Sequence, residues 1–217
     1  RFAMPETGIG LICDVGGGWY LPRLPGQVGK FLGLTGARLD GSECLWAGLA
    51  THYLPASALP EAKARLVRTP EDVDLILDAL SQEPPEPRLS GNHKAIDRGF
   101  APDNLEGIIA ALTADGGEWA AKELKTLSTK SPFACKLVLR QLAEGAAAQS
   151  FAENMAMEYR AAQRAVLLPD FAEGVRALLV DKTNDPQWQP ATPEGVSTTM
   201  VDAVFAPLPA SEEWKPL

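Results

Sequence analysis

"RFAMPETGIGLICDVGGGWYLPRLPG" occupies residues 1–26. The first six residues, "RFAMPE", are apolar enough for one short strand. Pro5, which has no amide hydrogen to give a ladder, stops that strand at Glu6. A lone strand leaves backbone donors and acceptors unpaired along both edges, so it requires partners, and "ATHYLP" (50–55) supplies at most one. Glu6 thus stands at a strand end fixed by a proline, a position that can aim a side chain into a cleft. Asp14 precedes Gly16, Gly17 and Gly18 and the start of a short helix. Amides bared by glycines at a helix start favour nearby negative charge and let a ligand approach the backbone. On spacing alone the ordinary readings stay open beside catalytic ones: an N-cap for Asp14 and a solvated surface carboxylate for Glu6.

Downstream the pattern turns helical. "GQVGKFLGLTG" (26–36) and "GSECLWAGLA" (41–50) are short helical stretches closed by glycine. From about Pro60 the apolar positions of "PEDVDLILDALSQ", "DNLEGIIAALTA", "SPFACKLVLRQLAEG", "SFAENMAMEYRAAQRAV" and "DFAEGVRALLVDK" recur every three or four residues, which predicts amphipathic helices. Asp103, Ser131 and Ser150 read as caps, Pro132 suits a first turn, and Glu153 completes a capping-box spacing after Ser150. "SQEPPEPRLSGNH" (81–93) reads as an exposed connection, which divides the chain into residues 1–82 and a helical region 83–217. After Asp185, prolines 186, 190, 193, 207, 209 and 216 predict an extended tail with one short helix after Pro193.

The 217 residues are 46% hydrophobic, enough for a substantial core. Acidic residues number 28 against 20 basic ones, and the basic ones are scattered, which argues against a nucleic-acid partner. No apolar run reaches the roughly 18 residues of a membrane span, so a soluble, cytoplasmic protein without a membrane partner is expected. Cys13, Cys44 and Cys135 follow no disulfide or zinc spacing and read as reduced packing thiols. His52 and His93 stand far apart and read as surface or hydrogen-bonded histidines, and Trp19 and Tyr20 as packing residues.

"FAMPETGIGLICDVGGGWYLPRLPG" resembles part of the active-site region of the enoyl-CoA hydratase/isomerase, or crotonase, superfamily, most closely its 3-hydroxyisobutyryl-CoA hydrolase branch. The likeness continues through "FLGLTGARLDGSECLWAGLATHYLP" and returns in "SPFACKLVLRQLAEG", "MEYR" and "FAEGVRALLVDKTNDPQW". "DVGGG" with "LPRLPG" is its most specific part, since many hydratases carry a small residue where Asp14 stands. The resemblance implies an α/β crotonase-like (ClpP/crotonase) fold. In that fold the P-E strand lies midway along the chain, so residues 1–217 are expected to be its C-terminal portion, mainly α-helical with a few short strands. It implies hydrolysis of a short branched 3-hydroxyacyl-CoA, as in valine catabolism, with hydration or isomerisation of an enoyl-CoA and a non-catalytic assembly module as alternatives. By the same resemblance Glu6 is the nucleophile or the base for water. Asp14 holds the substrate hydroxyl or the attacking water and tunes Glu6, and Pro5, Gly10 and Leu11 shape the acyl pocket. Coenzyme A enters only as part of the substrate, with no further cofactor and no metal. The oxyanion-binding amides are expected from segments earlier in the family's chain. Self-association, or pairing with an N-terminal segment over apolar surface around Phe2 and Met4, follows as an expectation.

Overall fold

The computed structural model describes residues 1–215, and helices dominate it. A 3-10 turn, Glu6–Ile9, precedes α1 (Gly17–Tyr20), α2 (Val28–Thr35), α3 (Gly41–Trp46), α4 (Leu59–Arg68), α5 (Val73–Leu80) and α6 (His93–Gly99). Then come α7 (Leu105–Asp115), α8 (Glu118–Leu127), α9 (Pro132–Ala147), α10 (Phe151–Ala165), α11 (Pro169–Val175) and α12 (Thr198–Phe205). Among the described residues no helix is long and apolar enough to cross a membrane.

The expected short strands shrink to one antiparallel bridge among the described residues. The Phe2 amide donates to the Leu39 carbonyl at 3.0 Å, and the Leu39 amide returns the bond to Phe2 at 2.8 Å. Pro5 then turns the backbone to φ −89°, ψ 8°, so Glu6 begins a 3-10 turn rather than ending a strand. Residues 50–55 form no strand: the Tyr53 carbonyl accepts from the Gln82 amide at 2.9 Å, and its amide donates to Ser81 Oγ at 3.2 Å.

Two compact units form, and neither follows the expected boundary at residues 82 and 83. The smaller comprises Arg1–Phe2 and Leu39–Gly91; the larger comprises Ala3–Arg38 and the chain from Asn92 onward. The proline-rich stretch stays with the smaller unit, where Arg88 Nη2 donates to Glu43 Oε2 at 2.7 Å. There α3 starts with a capping box: the Glu43 amide donates to Asp40 Oδ1 at 3.0 Å, and the Asp40 amide to Glu43 Oε2 at 2.9 Å. His52 bridges Thr51 Oγ1 and Asp78 Oδ1 at 2.8 and 3.0 Å, a hydrogen-bonded histidine.

In the larger unit one apolar core joins Ile12, Phe133 and Leu137 to Met157, Ala161 and Phe205. Phe31, Phe100 and Trp119 form a second cluster, with the two phenylalanine rings edge-on at 5.4 Å between centroids. Ser131 caps α9, its Oγ accepting from the Ala134 amide at 3.0 Å, with Pro132 in the first turn. Ser150 Oγ caps α10 by accepting from the Glu153 amide at 3.1 Å, while Glu153 reaches back to the Gln149 amide at 2.8 Å instead of to Ser150. At α7 the cap is Asn104 rather than Asp103. Asn104 Oδ1 accepts from the Gly107 amide at 2.7 Å, because Asp103 is drawn away to Lys30 at 2.8 Å.

The continuous helix expected over residues 170–182 is α11 followed by a π turn, Arg176–Val180. The Asp181 amide closes it on the Arg176 carbonyl at 2.8 Å, and the Arg176 guanidinium binds Glu173 and Asp181 at 2.7 Å each. The short helix expected after Pro193 is α12, capped by Ser197. Pro216 lies outside the described residues. Met4 is buried and Phe2 half-buried, so the apolar surface expected around them is largely covered. Cys13, Cys44 and Cys135 are free thiols.

Candidate active site

Glu6 sits at the head of a turn that the rest of the larger unit holds from several sides. The Gly8 amide donates to the Pro5 carbonyl at 2.8 Å, the Leu11 amide to the Glu6 carbonyl at 3.0 Å, and Gly10 closes the turn at φ 75°. Thr7 Oγ1 donates to the Leu34 carbonyl at 3.0 Å, and the Ser131 amide donates to the Thr7 carbonyl at 3.0 Å. A Cβ placed on Gly10 would lie 2.5 Å from the Asp170 backbone, so only glycine lets α11 approach this closely. Asp170 is itself a fixed post: its Oδ2 accepts from Ser131 Oγ at 2.5 Å and its Oδ1 from the Gln189 amide at 2.8 Å.

The Glu6 carboxyl that this turn presents is electrostatically unusual. Burial pushes its pKa from 4.5 to about 7; its own backbone amide pulls the other way, and the Asp14 charge adds to the rise. Oε2 is buried without a hydrogen-bond partner among the described residues. A carboxyl that titrates near neutrality and keeps an uncommitted oxygen is suited to accept a proton or attack a carbonyl carbon.

Asp14 is exposed and does not cap α1, whose N-cap is Gly16 at φ 86°. Val15 carries φ 50°, a left-handed conformation that costs a β-branched residue of order 1–3 kcal/mol. Glu158 holds this loop from within. Its Oε2 accepts from the Gly16 amide at 2.9 Å and its Oε1 from the Gly18 amide at 2.7 Å, while the Gly17 amide is taken by the Asp14 carbonyl at 2.9 Å. The expectation that these amides stand ready for a ligand is therefore corrected, because a carboxylate of the chain itself occupies two of them. Asn154 Nδ2 and Gln141 Nε2 also donate to Glu158 Oε1, at 3.0 and 3.2 Å, and Gln141 Nε2 donates to the Cys13 carbonyl. Gly18 leaves no room for a side chain, since a Cβ there would stand 2.7 Å from Asn154 Oδ1.

Of the residues singled out in the sequence, Glu6, Gly10 and Leu11 are joined by the turn, and the Asp14 charge acts on Glu6. Pro5 is exposed at the turn's start, Gly10 is buried against α11, and Leu11 packs partly against the apolar core. Trp19 packs edge-on to Phe151 and under the Arg23 guanidinium, and Tyr20 donates its hydroxyl to Met4 Sδ at 3.0 Å. Glu158, Asn154 and Gln141 were missed. The available signal was an acid at an inward position of α10, since residues 154, 157, 158, 161 and 165 share its buried face.

The backbone superposes on a solved structure described as a carnitinyl-CoA dehydratase from Mycobacterium thermoresistibile with TM-score 0.88 and 36% identity. The alignment covers 96% of this chain and 59% of that one, which places the chain in the crotonase fold. Residues 1–205 match the enoyl-CoA hydratase/isomerase family model, and the chain belongs to that family. It is 43% identical to the mitochondrial 3-hydroxyisobutyryl-CoA hydrolase of Gallus gallus, over 95% of this chain and 56% of that protein. With the protein of the same name from Danio rerio it shares 44% identity at the same coverage. The chain thus spans a little over half the length of these relatives. Their names overturn the cytoplasmic expectation. Charge and the lack of a long apolar run do not distinguish one aqueous compartment from another, so they carried no address.

Proposed function

We propose that the protein carrying this chain hydrolyses the thioester of a short branched 3-hydroxyacyl-CoA, with 3-hydroxyisobutyryl-CoA as the reference substrate. The observation that carries this reading is the half-buried Glu6 carboxyl, titrating near neutrality with Oε2 unengaged, under the influence of the Asp14 charge. Either Glu6 attacks the thioester carbonyl, giving a mixed anhydride that a water then hydrolyses to the free acid and regenerated Glu6, or Glu6 takes a proton from a water that attacks the carbonyl directly. The C–S bond breaks and coenzyme A leaves as its thiolate, which then takes up a proton. Asp14, exposed on the loop that Glu158 holds, is assigned to the substrate hydroxyl or the attacking water. The relatives named 3-hydroxyisobutyryl-CoA hydrolase support the substrate class and a mitochondrial setting, and a step in valine catabolism is part of the same proposal. Coenzyme A takes part only as a portion of the substrate. Self-association or pairing with an N-terminal segment belongs to the same proposal, and the exposed Val15 and Phe151 offer apolar surface for it.

Hydration of an enoyl-CoA is the second reading, favoured by the superposition on a structure described as a dehydratase. One experiment decides between them. The complete protein is given a panel of acyl-CoA esters, and thiol release is followed separately from double-bond hydration. Thiol release confined to short 3-hydroxyacyl esters is the expected result; hydration without thiol release overturns the hydrolase reading.

A further inference from the structure

Lys130, in the loop before α9, lines two cavities of the larger unit. One, of about 320 Å³, lies among Leu105, Ile109, Leu124 and Leu127 with Cys135 and Trp188, and Lys130 is the sole charged side chain lining it among the described residues. The other, of about 510 Å³, is bordered by Gly8, Leu178, Asp185 and Trp188. Lys130 Nζ stands 3.5 Å from where a Cβ on Gly8 would be, at the partition between the two. No carboxylate lies within ion-pair distance of this ammonium among the described residues, although eleven other basic side chains there have such a partner. Burial lowers its pKa, the mark of a cation short of solvent and of a counter-charge.

A half-buried cation without a partner is costly to keep charged, and an apolar cavity with one fixed charge at its wall has the make-up of a small-molecule site. We infer that this cavity binds a monocarboxylic acid with an apolar body, its carboxylate on Lys130 Nζ and its hydrocarbon among Leu105, Ile109, Leu124 and Leu127. A buried Cys135 thiol, its pKa pushed up to about 12, adds no negative charge to oppose the ligand. The site is built from α7, α8, α9 and the tail around Trp188, and it does not rest on the thioester-hydrolase reading.

Isothermal titration of the purified chain with sodium octanoate tests it. Saturable one-site binding is expected. Lys130→Met, which keeps the stem and removes the charge, weakens binding about tenfold or more; Ile109→Trp, which fills the cavity, abolishes it; and Glu6→Gln leaves it unchanged. On the unaltered protein, octanoate slows acetylation of Lys130 by acetic anhydride, read by peptide mass spectrometry, so the test stands even if a variant fails to fold. The inference is overturned by absent saturable binding or by unprotected Lys130. It is equally overturned if inorganic phosphate binds as tightly, or if Glu6→Gln and not Lys130→Met removes the affinity.

Discussion

Gly18 and Glu158 are separated by 140 positions in the chain and by 2.7 Å in the fold, the amide of one donating to the carboxylate of the other. Four donors converge on that carboxylate, from Gly16, Gly18, Asn154 and Gln141. A glutamine at 158 would keep the shape but supply one acceptor and turn an NH₂ toward donors. Glu158→Gln is expected to destabilise the fold by about 2–3 kcal/mol, the cost of buried donors left unpaired. A denaturant midpoint equal to that of the parent protein would remove Glu158 from this role.

Glu6→Gln keeps the bulk of the side chain and deletes the carboxylate proposed as nucleophile or base. Thioester turnover is expected to fall by about 10²–10⁴-fold or more while acyl-CoA affinity stays within a few-fold of the parent. Retained turnover in steady-state assays would assign the chemistry elsewhere.

The raised pKa of Glu6 has two signatures in pH. The ionised form required by the proposed mechanism appears as pH rises through about 7, so kcat/KM should climb along an acid limb centred there. Stability runs the opposite way. The folded state holds its proton up to about 7 and the unfolded chain only to about 4.5, so Glu6 favours the fold below 4.5. That contribution is lost between 4.5 and 7. Unfolding free energies measured across this window should fall with pH in the parent, and the part due to Glu6 should vanish in Glu6→Gln.

Asp14→Asn separates charge from structure. The N-cap of α1 is Gly16, so the change should leave thermal stability nearly untouched while lowering turnover by about 10²-fold through lost positioning of water or hydroxyl. Removing the Asp14 charge should also shift the acid limb of kcat/KM downward, because that charge helps to raise Glu6. An unmoved limb would show that the two carboxylates do not communicate.

Gly10→Ala tests the close approach of the Glu6–Ile9 turn to α11. The substituent would meet the Asp170 backbone at 2.5 Å in a left-handed conformation, and overpacking plus strain together cost about 2–5 kcal/mol. A chemical-denaturation midpoint close to that of the parent would mean the turn can shift aside.

What the sequence revealed were features that a few neighbouring residues decide. Spacings of three and four marked the helices, and the serines at 131 and 150 marked two starts, because capping is settled within one turn. Glu6 and Asp14 stood out through Pro5 and the glycine run. Glu158 did not, because its meaning depends on an encounter with a loop 140 residues away. The strand before Pro5 was misjudged for a related reason: apolar character can describe a strand, but only a neighbour with matching length makes one. Asp103 lost the cap of α7 to Asn104 through its ion pair with Lys30, again a partner remote in sequence.

Gly18 is synthesised before Glu158, and this gives the grip of Glu158 on the glycine loop a temporal side. The segment bearing Glu6 and Asp14 is made before its anchors on α9, α10 and α11. At about 5–20 residues per second, the 140 positions between Gly18 and Glu158 take roughly 7–30 s to translate. Through that interval Met4, Ile12 and Cys13, all buried in the finished fold, have no later helices to cover them. The segment bearing Glu6 and Asp14 thus stays without its final shape, its buried apolar side chains uncovered, until the helices after Ser131 emerge.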